Sequence, residues 1–244
     1  MIYQANKGQT SYGETIGIIL MESFMPFPPG CPGNATTFNY PVRYEVVKGA
    51  NMERLVYQGD KTLLQPFIDA GWKLVNEGVK AITGNCGFMV LYHDIMAKEF
   101  PVPVFMSSLL QLPFISRMIR PGEKVGIITA NSKTLTEEHM KIATNGVSVP
   151  YVLSGMEGQK HFYDAIHAEK GELDFEAVEQ EVVEVAQAMK KNDPAIQAIL
   201  MECTDLPPYA AAVQEAVNLP VFDFSTLINY VYSAMVRTRF HGYT

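Results

Sequence analysis

Short β-branched runs alternate with amphipathic helical stretches along the whole chain, the pattern of parallel βα units. The apolar runs predict strands over Thr15–Leu20, Val79–Thr83, Val102–Met106, Lys124–Thr129, Pro150–Leu153, Ile196–Met201 and Pro220–Asp223. Helical spacing fills the gaps between them. Thr62 is expected to cap a helix whose Leu63, Phe67, Leu74 and Val75 face inward. Pro66 is tolerated there because first-turn amides have no intrahelical partner. Thr134-Leu135-Thr136-Glu137 has the form of a capping box, with Gly146 at the exit of its helix. Asp174 opens a third helix, with Val178, Val182, Val185 and Met189 on one face and Lys190-Lys191 at the negative dipole end.

The same pattern occurs twice. Residues 81–120 slide onto 198–237 without a gap and give 12 identities in 40 positions, where ordinary residue usage gives roughly 2 or 3. Among them are Ala81/Ala198, Ile82/Ile199, Cys86/Cys203, Tyr92/Tyr209, Pro103-Val104-Phe105 on Pro220-Val221-Phe222, Ser108/Ser225 and Arg120/Arg237. Upstream, Ile16-Gly17-Ile18-Ile19 resembles Val125-Gly126-Ile127-Ile128. Shared apolar strands account for the Ile and Val matches, but poorly for a cysteine, a tyrosine, serines and an arginine in one register. The expectation is an α/β protein of two similar lobes, each a parallel sheet flanked by helices, related by a pseudo-twofold axis. The first lobe would comprise residues 1–106 and 224–244, the second 107–223, with the active site between them.

Composition narrows the function. The 244 residues carry 19 Lys+Arg against 26 Asp+Glu, a formal charge of -7 without a basic stripe, which disfavours nucleic acid and polybasic membrane partners. The N-terminus places polar residues where a signal peptide needs an apolar stretch, and the longest uncharged run, Phe100 to Ser116, contains three prolines. A cytoplasmic protein is expected. Three widely spaced cysteines suit free thiols better than a disulfide framework. The five histidines show no ligand spacing, and no zinc, P-loop or dinucleotide motif occurs, so neither metal nor cofactor is expected. The partner is then a small-molecule substrate, with assembly into a homo-oligomer left open.

The chemistry centres on Cys86 and Cys203. Each follows a buried strand and precedes a helix, the strand end where open α/β sheets place ligands. A thiol at a helix N-terminus is expected to be acidified, and the amides there can hold a carboxylate. Two facing thiols can remove a proton from one face of a carbon and return one to the other. A single cysteine is commonly a small buried hydrophobe. Two in register, beside Asn85 and beside Glu202, Thr204 and Asp205, favour catalysis. Cys31 lies in the Pro26-to-Gly33 loop, without an equivalent, and is assigned no chemistry.

Thr83-Gly84-Asn85-Cys86-Gly87 and Glu202-Cys203-Thr204-Asp205 resemble the two cysteine motifs of the cofactor-independent aspartate/glutamate/hydantoin racemase superfamily, and the likeness covers essentially the whole chain. The resemblance implies two α/β lobes, an active site between them, and paired cysteines as proton donor and acceptor without pyridoxal phosphate or metal. It also implies substrate contacts from Thr129 and Asn131. Two positions depart from the pattern. Amino-acid racemases of the group usually carry Cys-Asn-Thr at the first site, where this chain has Cys86-Gly87-Phe88, and often Gly before the second cysteine, where it has Glu202. A decarboxylase of the group lacks the first cysteine and protonates from one side, whereas both cysteines are present here.

The expected function is a racemase or epimerase of a small carboxylate or an amino-acid- or hydantoin-like compound, an isomerase with Cys86 and Cys203 as the two acid/base groups. Strand-end groups of Asn85, Gly87 and Thr204, with Thr129, Asn131 and Glu22, are the candidate substrate contacts. Phe27, Tyr40 and Phe88 are candidates for an apolar wall, and Asn131 or Ser132 alternatively caps the following helix. The competing functions are a maleate-type cis–trans isomerase with a nucleophilic cysteine, a decarboxylase of the same fold, and a two-lobed binder without turnover.

Overall fold

The computed structural model describes residues 2–243; Met1 and Thr244, the outer ends of the expected first lobe, lie outside them. Strands β1 (Ile16–Met21), β2 (Val42–Val47) and β3 (Ala81–Gly84) form one parallel sheet in the order β2-β1-β3. Strands β4 (Lys124–Thr129), β5 (Tyr151–Gly155), β6 (Ile196–Met201) and β7 (Val221–Phe222) form a second, in the order β5-β4-β6-β7. The helices are α1 (Leu64–Asn76), α2 (His93–Glu99), α3 (Leu112–Met118), α4 (Glu137–Thr144), the single turn α5 (Lys160–Phe162), α6 (Phe175–Asn192), α7 (Ala210–Val217) and α8 (Phe224–Met235). The expected α/β architecture of two helix-flanked parallel sheets is present.

The strand orders repeat, and so does a detail of register. Val104 makes a single parallel bridge to Ile82, and Val221 pairs with Ile199 at the offset that places Ala81 on Ala198. In the first sheet this bridge does not grow into the strand expected over Val102–Met106. Pro101 and Pro103 have no N–H to donate; Ile82 N donates to the Pro103 carbonyl at 2.9 Å and Phe105 N to the Ile82 carbonyl at 2.9 Å, and the pairing ends.

Strand β2 is absent from the sequence expectations. It is an edge strand whose residues Val42–Glu45 are half-buried, so Arg43 and Glu45 interrupt the apolar run that would have marked it. Two caps also differ. Asp60, not Thr62, caps the turn leading into α1, with its Oδ1 accepting from the Thr62 amide at 2.9 Å. The capping box of α4 is Thr136 with His139 rather than Thr134 with Glu137. Asn145, in the left-handed region, and Gly146 terminate that helix, and Asp174 caps α6 as expected.

One apolar core runs through both sheets, joining Ile19 and Ile82 of the first to Val125, Ile127 and Ala198 of the second. The opposite face of the first sheet is covered by the C-terminal helix, where Phe224, Leu227 and Ile228 of α8 meet Ile16, Ile18 and Ala81. Burying side chains of this size contributes roughly 1.5–3 kcal/mol each, which holds α8 on the N-terminal sheet. Among the described residues, no helix is long and apolar enough to cross a membrane.

Candidate active site

The carboxyl ends of β3 and β6 meet, and the loops beyond them enclose a cavity. Both sulfurs line it, together with Asn85, Gly87, Thr204, Glu202 and Asp205. Met21, Met25, Phe27, Met52, Val56 and Phe88 form apolar walls. The space free of protein atoms there is about 360 Å³, open solvent included.

The two strand ends are built alike. Asn85 N donates to the Ile19 carbonyl at 3.0 Å and Glu202 N to the Ile128 carbonyl at 2.8 Å, so each loop leaves the end of its own strand, β3 or β6, pinned to the neighbouring strand, β1 or β4. Cys86 and Cys203 follow directly. Cys86 has extended backbone (φ -153°, ψ 128°) before a tight helical turn over Gly87–Tyr92, whose first amides have no partner within it. Thr204 Oγ1 donates to the Asn85 carbonyl at 2.5 Å and joins the two loops. Cys203 Sγ lies 3.5 Å from Asp205 Oδ2.

Neither thiol is acidified. The amides of Phe88 and Met89 face the Cys86 sulfur, as a helix start should, but burial raises its pKa well above the ordinary value and the neighbouring Glu202 adds to it. Burial likewise raises Cys203, with Asp205 and Glu202 reinforcing the effect. The carboxyls respond in kind. Burial pushes Glu202 up to about 7, although the Thr129 hydroxyl and the Ala130 amide favour its ionised form. Asp205 rises to about 6 by burial, tempered by the thiols of Cys203 and Cys31. The expected acidification fails because a few amide dipoles do not compensate desolvation beside two carboxyl groups.

Three of the sequence-derived contact candidates lie elsewhere. Thr129 is fully buried behind the cavity, its Oγ1 donating to Glu202 Oε2 at 2.7 Å. Asn131 Oδ1 accepts from the Lys133 amide at 2.9 Å and serves the turn there, whereas the helix that follows is capped by Thr136 and not by Asn131 or Ser132. Glu22 is exposed on an outer groove, where it accepts from the Gly49 amide at 2.7 Å. That groove adjoins the cavity, since Met21, Ser23 and Phe27 line both, but Glu22 itself is not in the cavity lining. Of the aromatic candidates, Phe27 and Phe88 are in the wall. Tyr40 stacks on Tyr232 at 3.4 Å between ring centroids and belongs to the cluster under α8.

Cys31, assigned no chemistry from sequence, is buried with its Sγ 3.8 Å from Asp205 Oδ1. Its loop is seated by Gly30, whose φ of +111° and 2.8 Å approach of a hypothetical Cβ to Pro208 Cα admit no side chain. No spacing signal in the sequence points from Cys31 to Asp205. Among the described residues, no three His, Cys, Asp or Glu side chains group as a cation site.

Comparison with known proteins agrees with this geometry. Aspartate racemase of Picrophilus torridus superposes with a TM-score of 0.60 at 15% identity, covering 93% of this chain and 96% of that one. Unliganded arylmalonate decarboxylase superposes at 0.57 and 14% identity, covering 93% and 94%. These likenesses are of fold. In sequence, dimethylsulfoniopropionate lyase 3 of Emiliania huxleyi (strain CCMP1516) is 33% identical over 232 residues, 91% of this chain but 60% of the relative. Dimethylsulfoniopropionate lyase of Durusdinium sp. clade D is 35% identical over 217 residues, 86% of this chain and 71% of the relative. The chain thus spans three fifths of the length of the Emiliania relative. Residues 49–227, which carry both cysteine loops, match the Asp/Glu/Hydantoin racemase family, and the chain belongs to that family.

Proposed function

We propose that the chain is a cysteine-dependent lyase that removes the α-proton of a short carboxylate and expels a cationic group from its β-carbon. Dimethylsulfoniopropionate, named in its relatives, is the substrate of this kind. The supporting observation is the charge of the cavity. Two carboxyl groups, Glu202 and Asp205, face it, and no Lys, Arg or His is among the described residues that line it. Aspartate or glutamate would place a second carboxylate against these two acids. A sulfonium between Phe27, Phe88 and the carboxyls is instead attracted by both the aromatic faces and the acids.

In this chemistry Cys86, as thiolate, takes the α-proton; the C–H pair becomes the C=C bond and the C–S bond breaks. Acrylate, dimethyl sulfide and one proton result, so atoms and charge balance. The substrate carboxylate is held by the unpaired amides at the starts of the Gly87 and Thr204 loops, whose donors stabilise the enolate-like charge. Asp205, supported by the Cys31 and Cys203 thiols, faces the sulfonium. Anti elimination places base and leaving group on opposite sides, which suits cysteines contributed by opposite sheets. Two-base inversion is the second possibility, supported by the equivalent placement of the two sulfurs in one cavity.

The test is headspace detection of dimethyl sulfide with parallel assay of acrylate. Equimolar products are expected, with turnover falling at least a hundredfold in Cys86→Ser and in Cys203→Ser. No dimethyl sulfide at millimolar substrate, together with solvent deuterium entering the stereocentre of a chiral amino acid or hydantoin, would establish inversion in its place.

A further inference from the structure

We infer that the buried carboxyl of Glu202 is the group that accepts the Cys86 thiol proton, with Gly87 leaving the space that brings the two together. This deepens the lyase function proposed above and rests on it for the identity of the substrate.

Asn85 shows what the fold requires of a side chain at this strand end. Its Oδ1 accepts from the Met21 amide at 2.9 Å, and one carbonyl oxygen suffices. Glu202 stands at the equivalent place in the second sheet. Its Oε2 does the corresponding work, accepting from Thr129. Oε1 is left over: it is fully buried and has no hydrogen-bond partner in the protein, in a residue that lines the cavity. A glutamine would serve the structure equally well, so the orphaned carboxylate oxygen, costly to bury, has no structural purpose.

Gly87 fixes where that oxygen points. A Cβ on Gly87 would collide with Glu202 Oε1 and approach the Glu202 carbonyl to 2.6 Å. The carboxyl therefore occupies the space of a side chain immediately after Cys86. The two departures from the racemase pattern, glycine at 87 and glutamate at 202, are two halves of one exchange of volume. The amide side chain usual after the first cysteine is replaced by an acid reaching in from the other sheet.

The acid sits where the chemistry needs it. Cys86 must lose a proton in a site that disfavours its thiolate, and its strongest electrostatic neighbour is Glu202. The groups facing Glu202 are Cys86, Cys203, Asp205, the Thr129 hydroxyl and the Ala130 amide. Cys86 Sγ and Glu202 Oε1 are not hydrogen-bonded at rest, so they first close on each other or are bridged by a water; the Cys86 S–H bond then breaks and an Oε1–H bond forms, giving thiolate and neutral acid. The thiolate then takes the substrate α-proton and is a thiol again. Glu202 releases its proton to water when the products leave, which resets both groups.

The experiment follows Cys86 alkylation by iodoacetamide from pH 6 to 10 in the ligand-free full chain, read by peptide mass spectrometry, beside turnover of dimethylsulfoniopropionate. In the wild type the alkylation profile is expected to bend near pH 7 as Glu202 ionises. Glu202→Gln should lose the bend and alkylate Cys86 at least threefold faster at pH 8, yet turn over at least tenfold more slowly. A more reactive thiol in a slower enzyme is not the result of a merely structural defect. Thr129→Val, which removes one donor to the carboxylate, should move the bend to higher pH and supplies the test if Glu202→Gln fails to fold. An unchanged alkylation profile in a folded Glu202→Gln, or unchanged turnover, would overturn the assignment. Absence of dimethyl sulfide from the wild type would instead remove the lyase function, and the alkylation profiles would still decide whether Glu202 titrates against Cys86.

Discussion

Thr204 Oγ1 donates to the Asn85 carbonyl at 2.5 Å, a buried bond between loops that leave different sheets 119 residues apart in sequence. It sets the spacing of the cysteines that follow Asn85 and precede Thr204. The hydroxyl is therefore a strut between the two cysteine loops.

Thr204→Val keeps the shape of the side chain and leaves the Asn85 carbonyl without a donor. A buried unsatisfied acceptor costs roughly 1–3 kcal/mol. Urea unfolding should show a loss of that size, and turnover should fall more than KM changes because the reacting groups are no longer fixed.

Glu202 makes stability depend on pH. Its pKa in the fold is about 7 against an ordinary 4.5, so the folded state holds the proton more tightly than the unfolded chain does. The stability it supports is complete below about pH 4.5 and is lost as pH rises through 7. Glu202→Gln should become more stable relative to wild type between pH 5 and pH 8, by about 1–3 kcal/mol. Urea midpoints at the two pH values measure it. Asp205, raised to about 6, has the same sign and leaves a residual slope in the variant.

Cys31 donates to Asp205 and favours its ionised form. Cys31→Ala should raise the Asp205 pKa and move the acid limb of kcat/KM to higher pH. Cys31→Ser, with a stronger donor, should move it to lower pH. The alanine variant also loses a buried sulfur, for which about 1 kcal/mol of stability is expected, read from the thermal midpoint.

Asp205→Asn removes the charge proposed to face the sulfonium. KM for dimethylsulfoniopropionate should rise at least tenfold, about 1.4 kcal/mol. The isostere 4-methylpentanoate, which keeps the carboxylate but lacks the cation, should inhibit wild type and variant within a factor of three of each other. Equal weakening of both compounds would place the cation elsewhere.

The sheets were legible because parallel strands, covered on both faces, are nearly continuous apolar runs, as in Ile16–Met21 and Ile196–Met201. Val42–Val47 was not, since at a sheet edge charged residues are tolerated. The cysteine pair was legible because the chain repeats, and a repeated residue at a repeated strand end needs no coordinates to be noticed. The acidity of those thiols was misjudged. A helix start is written in the sequence, but the burial of Glu202 and Asp205 beside the sulfurs is not. Thr129 and Glu22 lie outside the cavity lining for a related reason: proximity to a strand end in sequence does not say which way a side chain turns.

The order of residues by itself determined two α/β units and the two strand ends that carry sulfur, because periodicity and repetition are local properties of the chain. Only the tertiary structure decided that Glu202 fills the volume missing at Gly87, that Cys31 reaches Asp205, and that the cavity is acidic. Those relations join residues from separate sheets and loops, and volume and charge there are properties of packing.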